Sequence, residues 1–371
     1  MSEKAKTILI SGGGTGGHIY PAIAIAQEFH RRYPSGRIVY IGKFGGREEQ
    51  VVDKAGLPIQ FRGISAQGFA RRISPTLFTA VYRTMLGFTQ AMKIVKRTKP
   101  DVVVGTGGYV SASALFSAQL CGYPTLIHEQ NAYPGLTNRF LGKRAKVIAT
   151  AYPELENYFP KEKIRITGNP VRSEFHHLDR DKALREFGLQ SDIATLLVFG
   201  GSQGAMAINL SVMDALEILD KKGMKLQVIL QAGDKYYQDM VAKVIKLIHI
   251  KITIQAYLFN IQDAYAVADL VVSRSGAISL SEIALCGLPS ILIPYPYATD
   301  NHQEKNARAF EKAGASKVFL ESELKAEQLA DEIELILADK DLKEKMSEHS
   351  KLLAKPNAAS ELCDLVESLM E

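Results

Sequence analysis

The chain has 371 residues, of which 46% are hydrophobic and 23% are charged. These proportions are typical of a globular protein and exclude a fibrous or disordered chain, while the length favours two domains over one. The formal charge of +5 is unevenly distributed, because between residues 54 and 153 the only acids are Asp101 and Glu129, against thirteen lysines and arginines. This basic half predicts attraction to an anionic surface or to a polyphosphate ligand.

The cysteines and the hydropathy pattern narrow the class of protein. Cys121, Cys286 and Cys363 lie far apart without a CxxC motif, so we expect neither a disulfide framework nor a zinc site. They are predicted to be reduced, mostly buried thiols of a cytosolic protein. The polar start of the chain predicts no secretory signal. No apolar run approaches the roughly 18 residues that span a bilayer, so any membrane contact is expected to be peripheral.

Apolar strand patterns alternate with helical patterns along the whole chain. The first-half strands are predicted at 7–11, 37–42, 58–62, 101–105, 124–128 and 145–149. The second-half strands are predicted at 194–199, 225–231, 250–255, 269–273, 289–293 and 316–320. Alternation of this kind predicts a parallel sheet covered on both faces, once in each half.

Two helices and two boundaries stand out in this pattern. Helices are predicted from Pro21 to Arg32, with the proline near the helix start, and from Pro75 to Thr98. The domain boundary is predicted at 168–172, where glycine and proline interrupt the pattern. A last amphipathic helix is expected to run to Glu371.

Two glycine-rich turns occupy equivalent places in the two halves, at 12–18 and 200–204. Each follows an apolar strand and precedes a helix, so its backbone N–H groups lie at the positive end of that helix. Such a turn suits a phosphate or another anionic group. Because ligands bind at the carboxyl ends of parallel strands, we expect two similar domains whose turns face each other across a cleft.

His18 closes the first glycine turn and has two possible roles. One is a hydrogen bond to the backbone at the helix start, and the other is that of a general base. We favour the base, since the positive helix end favours the neutral ring that a base requires.

A third glycine turn covers 105–111, and the strand at 124–128 ends in four polar residues, 128–131. One or two of those four are expected to be structural hydrogen-bonding groups.

A dinucleotide cofactor is disfavoured, although Gly12, Gly14 and Gly17 fit the GxGxxG pattern. An NAD site requires an acidic residue at the end of the second strand, and that strand ends here in Gly42 and Lys43. An NADP site remains open through Lys43 and Arg47. The chain contains no GxxxxGK[ST] motif, so P-loop handling of ATP is not expected.

In the second half, Glu282 is predicted to lie in the helix after the strand at 269–273. Its carboxylate would accept hydrogen bonds from two ribose hydroxyls, or it would be a solvated surface group. The amide-rich segment 300–306 suits sugar hydroxyls, which both donate and accept. The Asp-x-Asp patterns at 179–181 and 339–341 are predicted to be helix caps and not metal ligands.

The segment 68–98 interleaves apolar and basic residues and contains no acid. The apolar residues have two possible interpretations. They form one face of a helix that packs on the core, or they form an apolar patch, surrounded by cations, that binds a membrane surface. The candidate membrane patch consists of Phe69, Arg71, Arg72, Ile73, Leu77, Phe78, Val81 and Tyr82.

Seven segments together resemble the MurG family, the UDP-N-acetylglucosamine transferases that complete the lipid-linked disaccharide precursor of peptidoglycan. They appear in the family order and span most of the chain. The segments are GGGTGGHIYPAIAIA (12–26), GTGGYVSASA (105–114), HEQNAYPGLTNRFL (128–141), GNPVR (168–172), FGGSQGA (199–205), SRSGAISLSEIALCGLP (273–289) and DNHQEKNA (300–307).

The resemblance implies an α/β fold of two Rossmann-like, doubly wound domains facing across a cleft (GT-B type). The domains would be 1–171 with 353–371, on the acceptor and membrane side, and 172–352, which binds UDP-GlcNAc. The implied activity is an inverting hexosyl transfer without metal or cofactor, from UDP-GlcNAc to the C4 hydroxyl of undecaprenyl-diphosphate-linked MurNAc-pentapeptide. The implied location is peripheral, on the anionic cytoplasmic face of the bacterial plasma membrane, with no nucleic-acid partner.

The resemblance also implies site residues. The acceptor side would be lined by His18, Tyr109, His128 and Glu129. UDP-GlcNAc would be held by Thr15, Gly16, Gly17, Asn131, Arg172, Ser202, Leu258, Ala277, Ile278, Ser279, Leu280, Ser281, Glu282 and Gln303. Two departures weaken this assignment: His302 stands where the family often has a glutamine, and Leu258 is placed by spacing alone.

Three alternatives to this activity stay open on the sequence. A UDP-GlcNAc 2-epimerase shares the architecture and the donor pocket but requires no lipid and no basic, apolar surface. An NADP-dependent oxidoreductase would bind a nicotinamide cofactor. A non-catalytic subunit would bind the sugar nucleotide without turnover.

Overall fold

The computed structural model describes residues 5–66, 76–201, 203–243, 247–298 and 301–371, with the side chains of 76–83 and 154 excepted. The chain forms two compact units. The first comprises residues 1–173 and 355–371, and the second comprises residues 174–354.

The first unit is built from alternating strands and helices. Its strands are β1 (Thr7–Gly12), β2 (Arg37–Lys43), β3 (Ile59–Ile64), β4 (Val102–Gly107), β5 (Thr125–Glu129), β6 (Val147–Thr150) and β7 (Ile164–Ile166). Its helices are α1 (Gly16–Arg32), α2 (Arg47–Lys54), α3 (Thr76–Thr98), α4 (Gly108–Leu120), α5 (Leu136–Gly142) and, from the end of the chain, α14 (Ala358–Glu367).

The described strands of the first unit form a parallel sheet in the order β3-β2-β1-β4-β5-β6-β7. The order in which the strands are added reverses between the neighbouring strands β1 and β4. Sheets of the α/β class bind ligands at such a switch point. All six predicted strands are confirmed. Strand β7 was not predicted, because it has only three residues and they are partly or fully exposed at the sheet edge.

The predicted start of the first helix at Pro21 is wrong. Helix α1 begins at Gly16 and contains Pro21 in its interior. A proline there removes one backbone hydrogen bond. Burial of Ile19, Ile23 and Ile25 against the sheet stabilises the helix despite this loss.

The second unit repeats the same plan. Its strands are β8 (Thr195–Phe199), β9 (Leu226–Gln231), β10 (Ile250–Gln255), β11 (Leu270–Ser273), β12 (Ser290–Leu292) and β13 (Ser316–Val318). Its helices are α6 (Arg180–Phe187), α7 (Met206–Lys221), α8 (Tyr237–Ala242), α9 (Ile261–Val267), α10 (Ala277–Cys286), α11 (His302–Lys312), α12 (Ala326–Ala338) and α13 (Lys340–Leu352).

The described strands of the second unit form a parallel sheet in the order β10-β9-β8-β11-β12-β13, with its switch point between β8 and β11. Both units therefore have the doubly wound α/β topology that the alternation predicted. The predicted helix caps are also confirmed, since Asp179 accepts from the backbone N–H of Lys182 and Asp339 from that of Leu342, each at 2.9 Å. No described helix is long and apolar enough to cross a membrane.

Helix α14 brings the end of the chain back to the first unit, where it packs on α1. Arg32 donates to the carboxylate of Asp364 at 2.6 Å and to the hydroxyl of Ser360 at 2.7 Å. Cys363 is buried beneath these contacts, but Cys121 and Cys286 are only partly buried. None of the three thiols is exposed, which agrees with the prediction of mostly buried thiols.

Candidate functional site

The first glycine turn leads directly into α1 and places His18 in its first turn. Thr15 is the N-cap residue, and its carbonyl oxygen accepts from the backbone N–H groups of His18 and Ile19. The Nδ1 atom of His18 lies 2.9 Å from the carbonyl oxygen of Thr106 at the end of β4. A carbonyl only accepts, so Nδ1 carries the hydrogen and the neutral ring has its lone pair on Nε2.

The third glycine turn lies beside His18. Gly107 has a φ of +107°, in the region that favours glycine, and a Cβ atom there would lie 2.8 Å from His18 Nδ1. Tyr109 follows in the first turn of α4, half-buried. A Cβ atom on Gly14 would lie 3.3 Å from its ring, so Tyr109 and the first glycine turn are neighbours.

His128 is fully buried near the end of β5. Its Nε2 lies 3.1 Å from the carbonyl oxygen of Gly168, and its Nδ1 lies 3.1 Å from the side-chain nitrogen of Gln130. Burial lowers the pKa of His128 to about 4, with the bond to Gly168 opposing this shift and His18 adding to it. The ring is therefore neutral near pH 7.

Glu129 is 1% exposed, and its carboxylate organises the loop before α5. One oxygen accepts from the backbone and side chain of Asn131 at 3.1 and 3.3 Å. The other accepts from the backbone of Gly135 at 3.0 Å and from the side chain of Asn138 at 2.8 Å. These donors replace the water that a buried carboxylate loses.

Five of the residues predicted to hold UDP-GlcNAc belong to the first unit. Thr15, Gly16 and Gly17 form the start of α1, and Asn131 is held by Glu129. The guanidinium of Arg172 lies 4.5 Å from the centre of the Tyr20 ring on α1, in a cation–π geometry.

The second glycine turn is held by the end of β9. Ser202 lies outside the described residues. Gly204 has a φ of +73°, and a Cβ atom there would overlap the carbonyl oxygen of Ala232. The buried Gln231 side chain donates to the carbonyl oxygen of Gly201 at 3.0 Å and accepts from the backbone N–H of Leu258 at 2.9 Å. Gln231 therefore joins the glycine turn to the segment that contains Leu258.

Helix α10 contains most of the other predicted donor residues. Ala277, Ile278 and Leu280 are buried, and Ser279 and Ser281 are partly buried. Glu282 is 6% exposed and accepts from the Tyr265 hydroxyl at 3.3 Å. The alternative of a solvated surface glutamate is therefore wrong.

Gln303 lies in the first turn of α11, next to His302. Its side-chain oxygen accepts from the backbone N–H of Tyr295 at 2.9 Å, and its main-chain oxygen accepts from the hydroxyl of Ser275 at 2.7 Å. The buried Arg274 donates to the carbonyl oxygens of Ile293 and Pro294 and pairs with Glu321. These contacts fix the loop that leads to Gln303.

The hydrogen-bonding roles of four residues were not predicted from the sequence, although three of them stand inside the family motifs: they are Thr106, Gln231, Arg274 and Ser275. Gln231, Arg274 and Ser275 are polar residues at or just after the end of an apolar strand, and Thr106 interrupts the glycines at the end of β4. Their position at a strand end could have predicted a role in holding the site, because a polar side chain buried there requires hydrogen-bond partners. Among the described residues, no group of three or more His, Cys, Asp or Glu side chains is placed to hold a metal ion.

We expect Gly204→Ala to weaken UDP binding by about tenfold or more, because the new methyl group would displace the glycine turn from Ala232. Calorimetric titration with UDP measures this loss. Gly223→Ala is the matched control, since Gly223 also has a positive φ, of +78°, but an added Cβ would meet nothing within 4 Å. Equal UDP affinities for the two variants would contradict the prediction.

The burial of His128 predicts an acid-sensitive first unit. The unfolded ring has its usual pKa of 6.5 and takes up a proton before the folded ring does. The stability from this group is therefore complete above pH 6.5 and falls by about 3 kcal/mol as the pH drops towards 4. NMR titration of the histidine rings should find His128 still neutral at pH 5.5. A His128 ring that titrates between pH 6 and 7 would contradict this.

Comparisons with known proteins agree with this architecture. The N-terminal domain of glycosyltransferase family 28 matches residues 8–150, and the C-terminal domain of that family matches residues 195–362. A MurG crystal structure from Acinetobacter baumannii is 28% identical and superposes with a TM-score of 0.73, covering 98% of this chain and 99% of that one.

Two curated relatives are named UDP-N-acetylglucosamine--N-acetylmuramyl-(pentapeptide) pyrophosphoryl-undecaprenol N-acetylglucosamine transferase. The protein from Halothermothrix orenii (strain H 168 / OCM 544 / DSM 9562) is 45% identical over 368 residues, 97% of this chain and 98% of the relative. The protein from Thermoanaerobacter sp. (strain X514) is 42% identical over 365 residues, 97% of this chain and 99% of the relative. The chain therefore belongs to glycosyltransferase family 28 and, within it, to the MurG family of N-acetylglucosamine transferases.

Proposed function

We propose that this chain transfers GlcNAc from UDP-GlcNAc to the C4 hydroxyl of undecaprenyl-diphosphate-linked MurNAc-pentapeptide, with inversion at the anomeric carbon. The observation that carries this proposal is the 45% identity, over 97% of the chain, to a transferase named for this donor and acceptor. The same relationship favours the transferase over a UDP-GlcNAc 2-epimerase of similar architecture.

On the acceptor side, His18 is the proposed base. Its Nδ1–H donates to Thr106, so Nε2 has the lone pair that takes the proton from the C4 hydroxyl. The hydroxyl oxygen forms a bond to the anomeric carbon as the bond to the diphosphate breaks. Tyr109 lies beside the first glycine turn that leads to His18, and the buried His128 and Glu129 hold the surrounding loops.

On the donor side, the leaving UDP gains negative charge. The start of α7 after the second glycine turn and the start of α10 both present backbone N–H groups at the positive end of a helix. Donors fixed in advance stabilise such charge without reorganising. Arg172 assists with its own charge, Glu282 accepts from the ribose hydroxyls, and Gln303 contacts the sugar.

The direct test is transfer of label from radiolabelled UDP-GlcNAc to a lipid-linked muramyl-pentapeptide, followed into the lipid phase. Label should enter the lipid, and EDTA should leave the rate largely unchanged. Conversion of UDP-GlcNAc to its 2-epimer without lipid would favour the epimerase instead. Binding without turnover would favour a non-catalytic subunit. Loss of transfer in EDTA with rescue by magnesium or manganese would contradict a metal-independent reaction.

We also propose that the first unit binds the anionic cytoplasmic face of the bacterial plasma membrane as a peripheral protein. Of the predicted patch, residues 69–73 lie outside the described residues, and the side chains of Leu77, Phe78, Val81 and Tyr82 are not described. Among the described residues, exposed apolar side chains lie on α3, α4 and α5. They are Met85, Leu120, Leu136 and Phe140, with exposures of 65%, 51%, 79% and 65%.

An aromatic row supports treating these side chains as one apolar surface. The rings of Phe88, Phe116 and Phe140 follow one another across the three helices, with centroid distances of 5.5 and 6.1 Å. Lys143 and Arg144 are exposed just after α5. An apolar surface beside cations matches the chemistry of an anionic lipid interface.

We expect the double substitution Leu136→Ser with Phe140→Ser to lower binding to anionic vesicles at least tenfold, because two apolar side chains no longer enter the interface.

Replacing Arg71, Arg72 and Arg83 with glutamate should lower the free energy of vesicle binding by about 1 kcal/mol or more per charge, and high salt should mimic that loss. Co-sedimentation with vesicles measures both effects.

Leu352→Ser is the matched control for the apolar variant, because Leu352 is 81% exposed but belongs to the second unit. It should co-sediment as well as the wild type does. UDP binding should survive in every variant. If the double and triple variants also co-sediment like the wild type, these residues are ordinary solvent surface.

A further inference from the structure

Gln130 follows β5 and is 1% exposed, in a place where it contacts two functional segments. Its side-chain nitrogen lies 2.7 Å from the carbonyl oxygen of Thr106 and 3.1 Å from Nδ1 of His128. Thr106 is also the residue whose carbonyl oxygen accepts from His18. A single buried amide therefore touches the partner of one histidine and the ring of another.

The orientation of this amide follows from its neighbours. The Thr106 carbonyl can only accept a hydrogen bond, so the group that faces it must be the NH₂ and not the oxygen. The amide oxygen has no hydrogen-bond partner among the described residues, so no contact favours the flipped amide. One amide hydrogen is thus directed to Thr106 and the other to His128, whose Nδ1 at 3.1 Å is nearer than its own carbonyl oxygen at 3.4 Å.

This orientation fixes the tautomer of His128. Its Nε2 faces the carbonyl oxygen of Gly168 at 3.1 Å and must carry the ring hydrogen. In a neutral ring Nδ1 then has a lone pair, which is what the NH₂ of Gln130 requires. His128 is thereby held as a neutral Nε2–H ring that accepts at Nδ1.

The same amide holds the peptide group that orients His18. The Thr106 carbonyl oxygen has two lone pairs, one for Gln130 and one for His18 Nδ1–H. Other contacts already hold this end of β4, because Gly107 pairs with Gly12 and the Thr106 hydroxyl donates to the His18 carbonyl oxygen at 2.6 Å, but neither contact involves the Thr106 carbonyl oxygen. The hydrogen bond from Gln130 supplies a restraint, anchored to the buried His128.

We propose that Gln130 is a positioning residue that holds the Thr106 carbonyl toward His18 and so selects the Nδ1–H tautomer of that ring. The proposal rests on the assignment of His18 as the base only for its catalytic consequence. Without Gln130, the Thr106 carbonyl loses one of its two side-chain donors and its direction toward His18 is less restrained, so His18 then populates both tautomers. Only the Nδ1–H tautomer presents a lone pair at Nε2 to the acceptor hydroxyl.

The first test uses the wild-type protein with 15N-labelled histidine at pH 7.5. Long-range 15N–1H spectra distinguish a protonated ring nitrogen from one with a lone pair. We expect His18 as the Nδ1–H tautomer and His128 as the Nε2–H tautomer. A His128 ring protonated at Nδ1 would overturn the proposal without any variant.

The second test compares Gln130→Met, which keeps the length of the side chain but removes the NH₂, with Gln119→Met. Gln119 is a partly buried amide of the first unit, and it donates to Thr125 and Leu141 instead. In Gln130→Met we expect mixed His18 tautomers, a tenfold or greater fall in kcat and unchanged UDP affinity. In Gln119→Met the His18 spectrum and kcat should match the wild type.

The outcomes separate this proposal from the proposed base. A wild-type His18 spectrum in Gln130→Met would overturn the role of Gln130, whatever the activity. A mixed spectrum with unchanged kcat would confirm the positioning and reject its catalytic consequence. If His18→Ala retains wild-type turnover, the base assignment fails, while the spectra still decide the role of Gln130.

Discussion

Replacing His18 with alanine is expected to lower turnover by about a hundredfold or more while UDP-GlcNAc affinity changes little. General base catalysis contributes about that factor, and alanine removes the base without disturbing the start of α1. The ring is oriented for this role, because Nδ1 donates to Thr106 at 2.9 Å. Steady-state kinetics with the lipid-linked acceptor and calorimetry with UDP-GlcNAc measure the two effects separately.

His177→Ala is the control for this prediction, since His177 is an exposed histidine of the second unit. It should turn over at the wild-type rate. Wild-type turnover in His18→Ala would reject His18 as the base. An equal loss of donor affinity and turnover would instead assign His18 to donor binding.

Replacing Glu282 with alanine is expected to weaken UDP and UDP-GlcNAc binding alike, by about 1.5–3 kcal/mol. This is the cost of losing hydrogen bonds from the ribose to a charged group. Glu282 suits this role because it is 6% exposed on α10, where its carboxylate accepts from the Tyr265 hydroxyl at 3.3 Å. Calorimetric titration with UDP alone measures the loss without the acceptor.

Tyr265→Phe separates the ribose contact from the support of Glu282, because it removes only the hydroxyl that donates to the carboxylate. The ring of Tyr265 keeps its edge-to-face contacts with Phe175 and Phe199. We expect a smaller loss of UDP affinity than in Glu282→Ala. Unchanged UDP affinity in Glu282→Ala would exclude Glu282 from the ribose site.

The doubly wound fold could be predicted because buried parallel strands are continuous apolar runs, and each is followed here by a turn and a helix. The runs at 7–11 and 194–199 became the central strands β1 and β8. The short, partly exposed β7 carries no such run and was missed. Pro21 misled the prediction of α1, because packing on the sheet outweighs one lost backbone hydrogen bond.

Site residues were predictable where the backbone conformation demands a residue type. The glycines at 107 and 204 have positive φ angles and close neighbours, so both strand ends appear in the sequence as glycine-rich turns. The supporting roles of Gln231 and Arg274 were not predicted, because each side chain hydrogen-bonds backbone groups of segments that are distant in sequence. Such partners become visible only when the strands are aligned in the sheet.

The two α/β units, the glycine turns at their switch points and the family can be recognised without a structure, because they depend on local apolar runs, glycine conformation and ordered motifs. The hydrogen-bond partners and the burial of each polar side chain became visible in the folded structure. It distinguished the oriented ring of His18 from the fully buried ring of His128, and it placed Glu282 away from solvent. The physical reason is that tautomer, burial and charge depend on hydrogen-bond partners brought together from remote parts of the chain.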